Sequence, residues 1–155
     1  MEKSVQSNLK MSLQIQNPVV VFNRVALFVV YFWFGFLKVL AISPAEGLVT
    51  RLHTQTISSY ITITHFLIFL GAFECLIGIL WLFPKYTNIA FALFSAQMLT
   101  TFLPLFYLPN DTWQNGFALT LTGQYIIKNV VLIASAFTVL MYGKYKLVKI
   151  NSQNI

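Results

Sequence analysis

Glu74 interrupts an apolar run, Tyr60–Phe83, in a chain that has four acidic side chains against ten lysines and arginines. An ionised carboxylate in hydrocarbon is costly, so Glu74 must face the inside of a helical bundle and meet a cationic partner. Arg24 and Lys38 stand in the first apolar run and Lys128 in the last. The chemistry open to such a set is electrostatic. Either the charges pair to fix helix register, or the surplus of cations leaves capacity for an anion or a polar headgroup.

The other reactive side chains are few. Cys75 is the single cysteine, which excludes an intramolecular disulfide and a CxxC redox pair; beside Glu74 it reads as a small packing residue. His65 lies at the outer end of the second apolar run, close in depth to Lys38 and Gln124. These three residues form a candidate outer ligand site. His53 falls in a loop and is expected to be solvated. Two separate histidines do not make a zinc site, and there is no HExxH or Cys/His cluster. Walker, GxGxxG and Ser/His/Asp patterns are also missing, so no catalytic or metal-binding residue is assigned.

These residues need positioning elements. Hydrophobic residues make up 57% of the chain and charged residues 9%, with a mean hydropathy of +0.73; soluble domains are about one quarter charged. The chain therefore reads as an all-α integral membrane four-helix bundle with lipid as its main partner. Spans are expected at about Val19–Ile42, Tyr60–Phe83, Asn88–Leu108 and Phe117–Tyr142, each near the roughly 20 residues that cross a bilayer. Pro18, Ser43-Pro44 and Pro84 punctuate them, and Pro104 is expected to kink the third or end it early. Residues 1–17 form a polar N-terminal segment and 143–155 a basic tail. The first run is expected to be a retained signal-anchor, because no small-residue cleavage site follows it.

Lys3, Lys10, Lys85, Lys144, Lys146 and Lys149 fall on one side of these spans, against Arg51 with Glu46 and Asp111 on the other. The positive-inside rule then puts both termini in the cytoplasm. Tyr60, Trp81, Tyr86, Tyr107, Trp113 and Tyr142 are expected at the interfaces as an aromatic belt. The surplus positive charge lies mostly at the chain ends, with no exposed basic stripe interleaved with aromatics, so nucleic acid is excluded as a partner.

Helical spacing gives each span one polar or small face. The first aligns Arg24, Phe28, Tyr31, Gly35 and Lys38; the second Gly71, Glu74 and Gly78; the third Gln97, Thr101 and Pro104; the fourth Gln124, Lys128, Leu132 and Ser135. Gly35, Gly71 and Gly78 are expected to allow close helix packing. Depth then selects the ion pair. Counted at about 1.5 Å per residue from the outer face, Glu74 lies roughly 20 Å deep, Lys128 about 16 Å, Arg24 about 27 Å and Lys38 about 6 Å. The expected network is Glu74 with Lys128, extended by Arg24, while Lys38 is too shallow to join.

Four strings carry a family likeness: WFGFLK (Trp33–Lys38), SPAEGLV (Ser43–Val49), GAFECLIGIL (Gly71–Leu80) and LTGQYIIKNVVLIA (Leu121–Ala134). Together they resemble the DoxX-like superfamily of small four-helix membrane proteins, nearest to the RclC-type branch of reactive-chlorine resistance. The likeness covers about Asn23–Leu140. It implies a bundle in the bacterial cytoplasmic (inner) membrane, with an association with oxidative-stress defence. By motif match, the family's positions of interest fall on Gly35, Lys38, Ser43, Pro44, Glu74, Gly78 and Lys128. A short loop between the first two spans, Ser43–Ser59, departs from the RclC-type pattern. The expected role is that of an accessory component binding a partner protein or a lipid-soluble ligand. The enzyme alternative is a redox subunit holding quinone, with Lys38, His65 or Gln124 as donors to its carbonyls.

Overall fold

The structure, a computed structural model, describes residues 18–151. The polar N-terminal segment, residues 1–17, with Lys3 and Lys10, and the side chains of Lys144, Lys146 and Lys149 lie outside the described residues. Four helical segments are long and apolar enough to cross a membrane: Pro18–Val39, Ile63–Leu82, Pro84–Tyr107 and Leu121–Gly143. Helix α1 spans Pro18–Val39, α2 Glu46–Thr56 and α3 Ile63–Leu82. A 3-10 turn at Pro84–Tyr86 leads into α4, Thr87–Phe102, which is interrupted at Leu103 and resumes as α5, Pro104–Tyr107. A short α6, Pro109–Thr112, precedes a hairpin of β1, Trp113–Gln114, and β2, Ala118–Leu119; α7, Leu121–Asn151, follows.

The span limits differ from the sequence expectation for local reasons. α1 stops at Val39 rather than Ile42 because Ala41 adopts a left-handed backbone, φ 55°. Its N–H donates to Lys38 O at 3.1 Å, and the Ile42 N–H donates to Leu37 O at 3.0 Å. This paired closure satisfies carbonyls of the last turn. The fourth span starts at Leu121 rather than Phe117 because Asn115 and Gly116, both at positive φ, turn the chain into the hairpin. Thr120 then caps α7, its Oγ1 accepting from the Gly123 N–H at 3.2 Å.

The most extensive contact is between α1 and α3. A Cβ on Gly71 would stand 2.6 Å from Gly35 O, and one on Gly78 would stand 2.9 Å from Phe32 N. Backbones this close leave no room for a side chain, which is how small residues bring membrane helices together. The same contact sets their relative height. Gly71 lies opposite Gly35 and Lys38, near the end of α1, so residues 63–70 of α3 project beyond it by about 12 Å.

α2 occupies the step. Its His53 is buried, with its ring 5.4 Å from that of Phe66 and Nε2 2.9 Å from Ile61 O. The expectation of a solvated loop histidine is therefore corrected: Ser43–Ser59 contains a helix that packs on α3. The opposite end of the bundle, where the Pro84–Tyr86 turn lies, holds the tight core. Leu27, Ile77, Trp81, Phe94 and Val139 are fully buried in it, and it runs on to mid-bundle, where the Phe94 ring lies 5.4 Å from that of Tyr31. Trp81 is thus a core residue, edge-on to Phe94 at 5.8 Å, and not a member of an interfacial belt. Tyr60 and Tyr107 are exposed, as a belt requires.

Candidate functional site

The inward face of α1 carries Arg24, Tyr31, Gly35 and Lys38, all buried. That of α3 carries Gly71, Glu74 and Gly78. With the two helices seated on their glycines, Lys38 meets Glu74: Nζ donates to Oε2 at 2.5 Å, and both side chains are about nine-tenths buried. Gln97, on the buried face of α4, donates through Nε2 to the other carboxylate oxygen at 3.0 Å. Both oxygens of Glu74 therefore have donors, and three spans meet at one carboxylate. An ion taken out of water is tolerable under these conditions of pairing and hydrogen bonding.

This arrangement replaces the expected Glu74–Lys128–Arg24 network. The depth count failed because it started every span at one level, whereas α3 overhangs α1 by about two turns. Arg24 lies at the other end of the bundle. Its two terminal nitrogens donate to Trp81 O at 2.9 Å and Thr87 Oγ1 at 2.7 Å. The Trp81 carbonyl belongs to the last turn of α3, where a guanidinium both supplies a missing donor and complements the negative end of the helix dipole. Arg24 is a clasp between α1, α3 and α4.

Beside the Glu74 pair opens a cavity of about 790 Å³. Val30, Tyr31 and Phe34 of α1 and Phe66 and Leu70 of α3 form one side of it. Leu48, Val49 and Leu52 of α2 contribute to its wall, and Tyr125, Lys128 and Leu132 of α7 line it too. The lining is mostly apolar, with Lys38, Glu74, Gln97 and Lys128 among its polar groups. Tyr31 lines it too, although its hydroxyl is sealed from the open space and has no hydrogen-bond partner among the described residues. Lys38 uses one ammonium hydrogen on Glu74, leaving two of its three donors. The arrangement can surround a hydrocarbon body while offering donors to a polar head.

The expected outer trio does not assemble. Lys38 lines the cavity, but His65 is exposed and bonded locally, Nδ1 lying 2.6 Å from Thr62 Oγ1. Gln124 is exposed as well, its Nε2 donating to Leu119 O at 3.4 Å. The inward face of α7 is rotated from the one expected: Gly123, Ile126, Ala136 and Val139 are buried, while Lys128 is exposed at the cavity edge. The Lys128 ammonium lies 5.1 Å from the centre of the Tyr125 ring.

Two members of the site, Tyr31 and Gln97, carried no site role in the sequence reading. Both stood on the polar faces traced by helical spacing, and Gln97 is the one carboxamide in the third apolar run after Asn88. A carboxylate with two oxygens to satisfy calls for such a second donor. Cys75 packs between α1 and α3, its Sγ 3.6 Å from Phe32 O. Among the described residues no group of three or more His, Cys, Asp or Glu could hold a metal ion. Compared with protein-family models, curated proteins and solved structures, the chain matches none.

Proposed function

We propose that this chain is a DoxX-like protein of the bacterial cytoplasmic membrane that holds a lipid-soluble amphiphile between its spans, as an accessory component of a membrane assembly. One observation carries the reading: the cavity of about 790 Å³, apolar over most of its wall, has Lys38, Glu74, Gln97 and Lys128 in its lining. Ligand pockets commonly enclose about 300–1,000 Å³ and combine apolar walls with a few placed polar groups. The polar head of the ligand lies against Lys38, and its tail against Phe66, Leu70 and α2.

Both termini lie in the cytoplasm in this reading. Lys85 sits in the turn between α3 and α4, whereas Glu46, Arg51 and Asp111 gather at the α2 end. The loop bases then obey the positive-inside rule. A role in oxidative-stress defence, with a membrane or redox partner protein, follows from the family likeness.

The test is lipid extraction and mass analysis of protein purified in mild detergent, for the natural chain and for Leu70→Trp, which fills the cavity. The expected result is one class of amphiphile at near-stoichiometric amount, lost in a variant that stays monodisperse. A natural chain that carries no amphiphile above detergent background overturns the reading.

A second reading is favoured by the buried Tyr31 hydroxyl. A buried donor without a partner would gain one if its surroundings parted to admit a carbonyl oxygen, so Tyr31 and Lys38, and not His65 or Gln124, would hold a quinone. The quinone would supply electron transfer, and the two donors would bind and orient its oxygen. Quinone as the extracted molecule, lost on Tyr31→Phe, selects this alternative.

A further inference from the structure

We infer that the cavity selects amphiphiles bearing a single negative charge, with Lys128 as the residue that reads that charge. The inference rests on the proposed ligand cavity and concerns its ligand class.

Three charged side chains line the cavity, Lys38 and Lys128 positive and Glu74 negative. Lys38 and Glu74 neutralise one another at 2.5 Å. Lys128 has no carboxylate within ion-pair distance among the described residues, and its only charge-related contact there is the Tyr125 ring. The cavity therefore holds one positive charge in excess. That charge sits seven residues into α7, about 10 Å along the helix. An ammonium at such depth is costly in hydrocarbon, and the aromatic face compensates only in part. An anionic head at the same place would remove that cost.

Beside the ion pair, Lys38 keeps two hydrogens for an acceptor, while both oxygens of Glu74 already accept from Lys38 and Gln97; the hydroxyls of Ser43, Thr100, Thr101 and Thr122 and the Asn129 amide in the lining can serve either way. A carboxylate or a phosphodiester on an acyl chain offers acceptors only. The mouth also suits a ligand arriving from the bilayer: Phe34 on α1 and Leu121 and Tyr125 on α7 line the cavity and are exposed on the surface of the bundle.

The experiment uses the full chain in phosphatidylcholine nanodiscs and measures displacement of radiolabelled oleate by unlabelled oleate, oleyl alcohol and lyso-phosphatidylglycerol. Oleate is expected to bind about tenfold or more tightly than the alcohol, the scale of one charge-assisted hydrogen bond. Lys128→Gln is expected to erase that difference and Lys128→Arg to keep it, with helical content and monodispersity checked for each. Displacement by lyso-phosphatidylglycerol at oleate-like concentrations assigns the site to monoanionic lipids in general, and its failure to displace assigns it to carboxylates. Equal binding of oleate and oleyl alcohol by the natural chain overturns the charge selectivity and leaves the ligand cavity standing. Absence of saturable oleate and alcohol binding overturns both.

Discussion

The two ends of the bundle solve the same problem differently. Each buries a cation of α1 against α3 and α4: Arg24 at one end, Lys38 at the other. Arg24 binds a carbonyl and a hydroxyl, and the residue whose carbonyl it holds, Trp81, is fully buried against Phe94. Lys38 binds a carboxylate that Gln97 also holds, and beside it the helices part around the cavity. A rigid planar fork suits a fixed pair of acceptors, whereas a lysine keeps spare, rotatable donors. One end is closed structure; the other keeps polar capacity that its own residues do not use up.

The largest test of this contrast is Glu74→Leu. Leaving Lys38 buried without its carboxylate should lower stability by about 3–5 kcal/mol, while Lys38→Met with Glu74→Leu should recover most of it. Thermal unfolding in detergent, followed by helical content, reads both. If the double variant is as unstable as the single one, the pair itself, rather than relief of a stranded charge, holds the open end together.

Apolar truncation should separate the ends next. Phe94→Ala, in the closed core, should cost about 3–5 kcal/mol. Leu70→Ala, on a cavity wall that already lacks neighbours on one side, should cost less than half as much in the same assay. Equal losses would mean that the cavity wall packs as tightly as the core. Thr87→Val is a smaller probe of the Arg24 clasp. It removes one acceptor from a buried guanidinium and should cost about 1–3 kcal/mol, with Lys38→Ala lipid loss as the contrasting phenotype at the open end. The smallest expected effect is a gain. Ala41→Gly relieves a left-handed alanine and should raise stability by about 1 kcal/mol.

Much of the architecture was legible in the sequence. Four apolar runs, the prolines between them and the helical spacing of Arg24, Tyr31, Gly35 and Lys38 describe the buried face of α1 closely. The pairing was not legible, for a definite reason. Span lengths give depth only if every span starts at one level, and the relative level of α1 and α3 is set by the seating of Gly35 on Gly71, which span lengths do not reveal. α2 escaped notice because Glu46–Thr56 mixes polar and apolar residues without an apolar run, so His53 read as exposed. The hairpin did carry its signal, Asn115-Gly116, between two apolar stretches. Exposure of Lys128 depends on the rotation of α7 about its axis, which a stripe of polar residues on a mixed helix leaves unfixed.

The separation of Lys38 from Glu74 along the chain, 36 residues, has a consequence for biogenesis. On the proposed membrane reading, α1 enters the bilayer while its lysine has no counter-ion, and Lys38 lies one residue from the helix end, where an ammonium can still reach the headgroups. The charge is drawn inward only after α3 has been made and has docked through its glycines. Burial of Lys38 is thus a timestamp: it marks the moment at which the first two spans stop being independent insertions and become a helical hairpin.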